Sequence, residues 1–218
     1  MKLHRRVPAL CVASAMLFAG AAHAEAPTAN LYVKGRLDVP TCTVSSPNDG
    51  TYDFGRIAST VIKAGTETTK LDPKSHTWTA SCGAKTYLGF SVTDNRSDSV
   101  SWKAEHNFGL GNVNETGKLG YYQITMGNAM VDNVATNVYS TSNGTISSNT
   151  AGIRKKLSND PAYQHGWAKG TTAQAMGEVF TADLVVEPTL AGSATMNGPL
   201  AEAVDLDGSA TLTFAFGL

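Results

Sequence analysis

The sequence predicts an all-β protein built as an antiparallel sandwich, and three observations predict it. Apolar and polar residues alternate in many short runs, helical periodicity is almost absent, and turn-forming segments separate the runs in a chain with 21 glycines and 16% charged residues. Successive side chains of a strand point to opposite faces, so each run commits one whole face to burial.

The elements follow in chain order. Residues 1–24 read as an export signal: Lys2, Arg5 and Arg6 form a basic start, residues 9–18 an apolar stretch, and Ala22, His23 and Ala24 a small-x-small cleavage site. The apolar stretch is too short to span a bilayer. Loss of those basic residues makes a chain of formal charge −1 more acidic, and no Lys/Arg cluster of the kind nucleic acid requires is present. Residues 25–30 form a short N-terminal extension and residues 31–218 a single domain.

Strands are expected at 31–39, 41–44 and 51–54, with the turn-forming Ser46, Pro47, Asn48, Asp49 and Gly50 between the last two. Further on, Trp78, Ala80 and Cys82 oppose Thr77, Thr79 and Ser81, and Leu88, Phe90 and Val92 oppose Tyr87, Gly89 and Ser91. A turn-rich run at 112–117 precedes a strand expected at 120–126. Residues 131–176 alternate little. A long, partly irregular excursion is expected there, with a short helix near 153–157 and room for a recognition surface. Alternation returns at Phe180, Ala182, Leu184 and Val186. In the final run Leu206, Ala210, Leu212, Phe214, Phe216 and Leu218 share one face, and Asp207, Ser209, Thr211 and Thr213 the other. A strand this long and two-faced suits pairing with another chain as well as core packing.

Export would remove Cys11 with the signal and leave Cys42 and Cys82 in an oxidising compartment, where a disulfide is the natural state. A zinc site needs about four ligands, and His76, His106 and His165 show no ligand spacing with either cysteine. The nucleophile pattern G-x-S-x-G is absent, and Ser193 reads as a loop serine. The carboxylate pairs Asp205/Asp207 and Asp94/Asp98 lack the run of oxygen ligands that a calcium loop supplies. Trp78 belongs to an apolar strand face, which leaves Trp102 and Trp167 as candidates to line a sugar site. No catalytic, metal or cofactor residues are expected.

Taken together, a set of landmarks resembles fimbrial subunits of the chaperone–usher type. Tyr32-Val33-Lys34-Gly35-Arg36-Leu37 followed by Cys42-Thr43-Val44 is similar to the pilin first strand, and Tyr52-Asp53-Phe54-Gly55-Arg56-Ile57 to the pilin V-x-F-G-x-I strand. Cys82 stands where the second pilin cysteine is expected. Val92-Thr93-Asp94-Asn95-Arg96, Phe108-Gly109-Leu110-Gly111 and Asp207-Gly208-Ser209-Ala210-Thr211-Leu212 resemble one branch, the beta-fimbrial major-subunit family.

The resemblance implies an immunoglobulin-like, pilin-type sandwich lacking its last strand, with a hydrophobic groove beside the C-terminal strand. Leu206, Ala210, Leu212, Phe214, Phe216 and Leu218 would then form the groove edge for a chaperone or donor strand. Pro27, Ala29, Leu31 and Val33 would form a donor strand for the next subunit, although Pro27 withholds one backbone donor. Implied partners are a periplasmic chaperone, an outer-membrane usher, neighbouring subunits and, at the cell surface, a host or surface glycan. Three other readings of the residues stay open. One is a tip adhesin or adaptor that binds a surface glycan through residues 131–176; another is an outer-membrane β-barrel, which also has alternating strands and a Phe-rich C-terminal strand. The third is a secreted enzyme with an unfamiliar site.

Overall fold

A computed structural model of the protein describes residues 26–37 and 39–217. The export signal expected at residues 1–24 and Leu218 of the expected groove edge lie outside the described residues. Contacts divide the chain into two units, Met1–Asp38 and Val39–Leu218. In the first, residues 26–37 take no regular secondary structure, and Leu31, Val33 and Leu37 are 87%, 90% and 103% exposed. The strand expected at 31–39 is therefore not formed. Alternation permits pairing but does not supply a partner, and these residues join no ladder.

The second unit is all-β and antiparallel. Its principal strands are β1 (Cys42–Ser45), β2 (Lys74–Asp94), β3 (Gly120–Val131), β4 (Asn137–Thr141), β5 (Ala151–Gly152), β6 (Arg154–Lys156), β7 (Gln164–Lys169), β8 (Met176–Leu190) and β9 (Ala210–Phe216). They form one curled sheet in the order β5-β4-β7-β2-β8-β3-β6, with β1 and β9 both paired to β2. The curl folds the sheet into the two layers of an immunoglobulin-like sandwich. One layer holds β1, the first part of β2, β8, β3 and β6; the other holds β9, the last part of β2, β7, β4 and β5.

Strand β2 belongs to both layers because its inward parity holds over its whole length. Trp78, Ala80 and Cys82 face the core beside β8 and β1, and Leu88, Phe90 and Val92 face it beside β9 and β7. Inward residues of β3 and β8, among them Ile124, Met126, Phe180 and Leu184, extend the first layer's inner face towards Leu88, Phe90 and Val92 of the second. Cys42 and Cys82 are direct cross-strand neighbours and are joined as a disulfide, 40 residues apart in sequence. Closing a loop of that length stabilises the fold by about 4 kcal/mol on the chain-entropy account.

The expected partly irregular excursion carries more sheet than its weak alternation suggests, with residues 142–150 and 157–163 remaining outside strands. Residues 137–169 contribute β4, β5, β6 and β7, and residues 154–156 run as a strand where a helix was expected. Two physical causes hide the alternation. Val138 and Tyr139 are both fully buried, one in the main core and one in a satellite cluster with Ala151 and Ala168 on the other side of the layer, so neither face of the strand is open to solvent. The seat of Tyr139 is a paired Gly89 and Gly166. A Cβ at Gly89 would stand 2.8 Å from the Tyr139 hydroxyl, and one at Gly166 2.9 Å from its ring. Secondly, the chain changes layers between Gly152 and Arg154, which resets the period after two residues.

Candidate functional site

One side of the sandwich carries a furrow of about 350 Å³ between the two layers. One lip is the C-terminal segment, where Leu206, Ala210 and Leu212 face inward. The other is the extended run after Gly50, where Tyr52 and Phe54 lean over the core and Asp53 points away. The floor is apolar: Trp78 of β2, Ile124 of β3, and Leu184 and Val186 of β8.

Each lip exposes backbone. Strand β9 pairs with β2 on one edge only, from Ala210 opposite Asp94 to Phe216 opposite Leu88. The Asn95 N–H donates to Ser209 O and the Gly217 N–H to Tyr87 O, each at 3.0 Å, so the odd-numbered residues of β9 direct their main chain towards β2. By antiparallel alternation, the N–H and C=O groups of Ala210, Leu212, Phe214 and Phe216 point to the free edge. Ala210, Leu212 and Phe214 also turn their side chains to the inner face, so a strand laid here would meet hydrogen-bonding groups and apolar surface together. On the opposite lip, among the described residues, the N–H and C=O groups of Tyr52 and Phe54 have no hydrogen-bond partner.

The second lip is held by side chains. The Tyr52 hydroxyl donates to Leu184 O at 2.9 Å and accepts from the Trp78 indole at 3.0 Å, while the Tyr52 ring stacks on His76 at 4.2 Å. Lys74 donates to Asp53 O and lies over the Phe54 ring. At the mouth, Arg96 grips Asp207 through two hydrogen bonds of 2.8 and 3.0 Å, and this holds the Asp207 carboxyl below its usual range. Asp94 accepts the N–H groups of Arg96 and Gly109, each at 2.9 Å; burial nonetheless raises its pKa. Gly208 crosses directly over Tyr122, where a Cβ would lie 2.8 Å from the ring. Burial raises the pKa of both Tyr52 and Tyr122, so the two phenols in the furrow stay neutral. An uncharged, apolar trough with free backbone on both lips suits an extended peptide with alternating apolar side chains.

The groove-edge residues named from sequence take different positions. Leu206, Ala210 and Leu212 line the furrow, Phe214 packs on Phe90 at 5.2 Å, Phe216 is exposed at the strand's end, and Leu218 lies outside the described residues. Residues 51–54 run extended but join no ladder, which is why they form a lip and not a strand. Sequence reasoning assigned Ile124, Leu184, Val186 and Trp78 to strands and missed them as the furrow floor. Their alternation says that they face inward, not that nothing lies over them. Among the tryptophans, Trp167 is buried and donates to Thr181 O at 2.8 Å, whereas Trp102 is exposed.

Residues 31–117 match a family described as a protein of unknown function, DUF1120. The match includes β1, β2 and the disulfide and stops before β3. No curated protein matches the chain.

Proposed function

We propose that this protein is a structural subunit of a bacterial surface fimbria, assembled by strand complementation through a periplasmic chaperone and an outer-membrane usher, and that the fibre supports adhesion. The observation that carries this reading is the furrow beside β9, with unpaired backbone on both lips. In this reading the sandwich lacks one strand, and the missing strand comes first from the chaperone and then from a neighbouring subunit. Backbone bonds give affinity to such an added strand, and pockets for alternate side chains give selectivity. A head-to-tail contact of this kind does not close on itself and so builds a filament.

The N-terminal segment supports the donor half. The parity of Pro27, Ala29, Leu31 and Val33 continues through Gly35 and Leu37, while Thr28, Asn30, Tyr32, Lys34 and Arg36 occupy the opposite parity, Tyr32 being its one aromatic. Its apolar side chains are left in solvent, so docking into a second copy would bury surface now exposed. A complementation experiment tests the reading. Val33→Asp spoils the donor and leaves the furrow intact; Leu212→Arg does the reverse. Each exported variant alone should sediment as a monomer, and a mixture should form heterodimers. Self-association that survives both substitutions would contradict the reading.

A further inference from the structure

We propose that the outer face of the sandwich at Trp102 is a saccharide-binding patch for a neutral oligosaccharide, independent of the furrow. The indole is 66% exposed, although a tryptophan left in water forgoes a large burial gain. Beneath it the Tyr121 ring, only 8% exposed, meets it edge-on at 6.1 Å and 79°. The loop that presents the indole is fixed from within. Buried Asn107 donates to Trp102 O at 2.9 Å, Asn159 donates to Ala104 O at 2.9 Å and Asn107 O at 2.7 Å, and His106 Nδ1 pairs with Leu157 O at 3.0 Å. A platform held this way loses little conformational freedom on binding.

Asn107 also ties the platform to a polar row on the same outer face. Its Oδ1 accepts from Gln123 at 2.7 Å, and Gln123 Oε1 accepts from Lys156 at 2.7 Å. Gln123 stands opposite Glu187 across the β3–β8 ladder, and Glu187 accepts from Thr125 at 3.3 Å. Tyr121 and Gln123 are two residues apart on β3, so the row begins about 7 Å from the aromatic base. Lys156 and Glu187 each use one hydrogen bond here and keep further donor and acceptor capacity.

This combination selects the ligand class. The indole face is negative and attracts the polarised C–H groups on the flat face of a pyranose, while amide, carboxylate and ammonium groups alongside bind hydroxyls. Lys156 and Glu187 offset one another in charge, which favours a neutral sugar over an acidic one. A protein contact would be expected to surround the indole with further apolar side chains, and here its neighbours along the face are polar.

Saturation-transfer NMR on the exported full-length protein, with lactose, cellobiose, maltose and chitobiose as probes, tests the assignment. At least one disaccharide should receive saturation on the C–H groups of one ring face. Trp102→Ala should weaken that binding at least tenfold with unchanged thermal midpoint, Trp102→Phe should restore part of it, and Gln123→Ala should weaken it less. The furrow variant Leu212→Arg should bind as well as the parent, which separates this patch from the proposed assembly site. Absence of saturation for all four probes would overturn the proposal. So would binding that Trp102→Ala leaves intact, or a Trp102→Ala defect confined to subunit association.

Discussion

The two sides of the sandwich solve the same problem in opposite ways. On the closed side residues 151–156 form β5 against β4 in one layer and β6 against β3 in the other, with Ile153 turned outward at 78% exposure where the chain changes layers. Both layer edges are thereby joined by one continuous segment, and the fully buried Leu157 follows it into the core. On the open side β9 ends one layer, residues 51–54 cover part of the other, and among the described residues no strand joins them. An edge left unpaired is a template for another chain. The difference teaches that this fold can bury a full core and still keep one seam available, because the closed side, β2 and the disulfide carry enough of the structure to tolerate it.

The largest expected effect concerns the staple at the open side. Replacing Cys42 and Cys82 by alanine should cost about 4 kcal/mol in denaturant unfolding. A loss below about 1 kcal/mol would mean that β1 is held mainly by its ladder. Next comes a paired comparison across the molecule. Leu157→Ala on the closed side removes a fully buried side chain and should cost about 3 kcal/mol. Leu212→Ala on the half-buried open lip should cost about 1 kcal/mol in the isolated chain. Equal losses at the two positions would remove the distinction between the sides.

A pH titration sharpens the closed side further. His165 on β7 is fully buried beside that seam; its Nε2 accepts the Ser158 N–H at 3.3 Å, and its Nδ1 has no partner. Burial pushes its pKa down to about 4. The folded protein therefore resists protonation that the unfolded chain accepts near pH 6.5. Stability is full above that pH and declines as pH falls towards 4, by about 3 kcal/mol in all. His165→Gln should flatten this slope. A slope unchanged by that substitution would assign the acid sensitivity to other groups.

Much of this architecture was legible in the residues. The parity of Trp78, Ala80 and Cys82 with Leu88, Phe90 and Val92 is the parity of β2 throughout, and the Ala210, Leu212 and Phe214 face is the inner face of β9. The disulfide followed from cysteine number and from the export that residues 1–24 lead one to expect. What stayed hidden was burial on two faces at once, as at Val138 and Tyr139, and the change of layer at Ile153, both of which erase a period-two signal. The segment around Leu31 and Val33 shows the converse, since its clean alternation yields no strand in the isolated chain. For the site, one lip was visible as an amphipathic run, but the floor was not, because vacancy above a strand leaves no mark in its own sequence.

Amide hydrogen exchange on the protein, with and without a peptide spanning residues 27–39, tests the open seam most directly. The amides of Ala210, Leu212 and Phe214 should exchange far faster than those of Thr211 and Thr213, and added peptide should slow them selectively. The amide of Leu157, bonded to Ile124 O at 2.9 Å, should stay protected throughout. Uniform protection along β9 before any peptide is added, or no response to the peptide, would contradict the account.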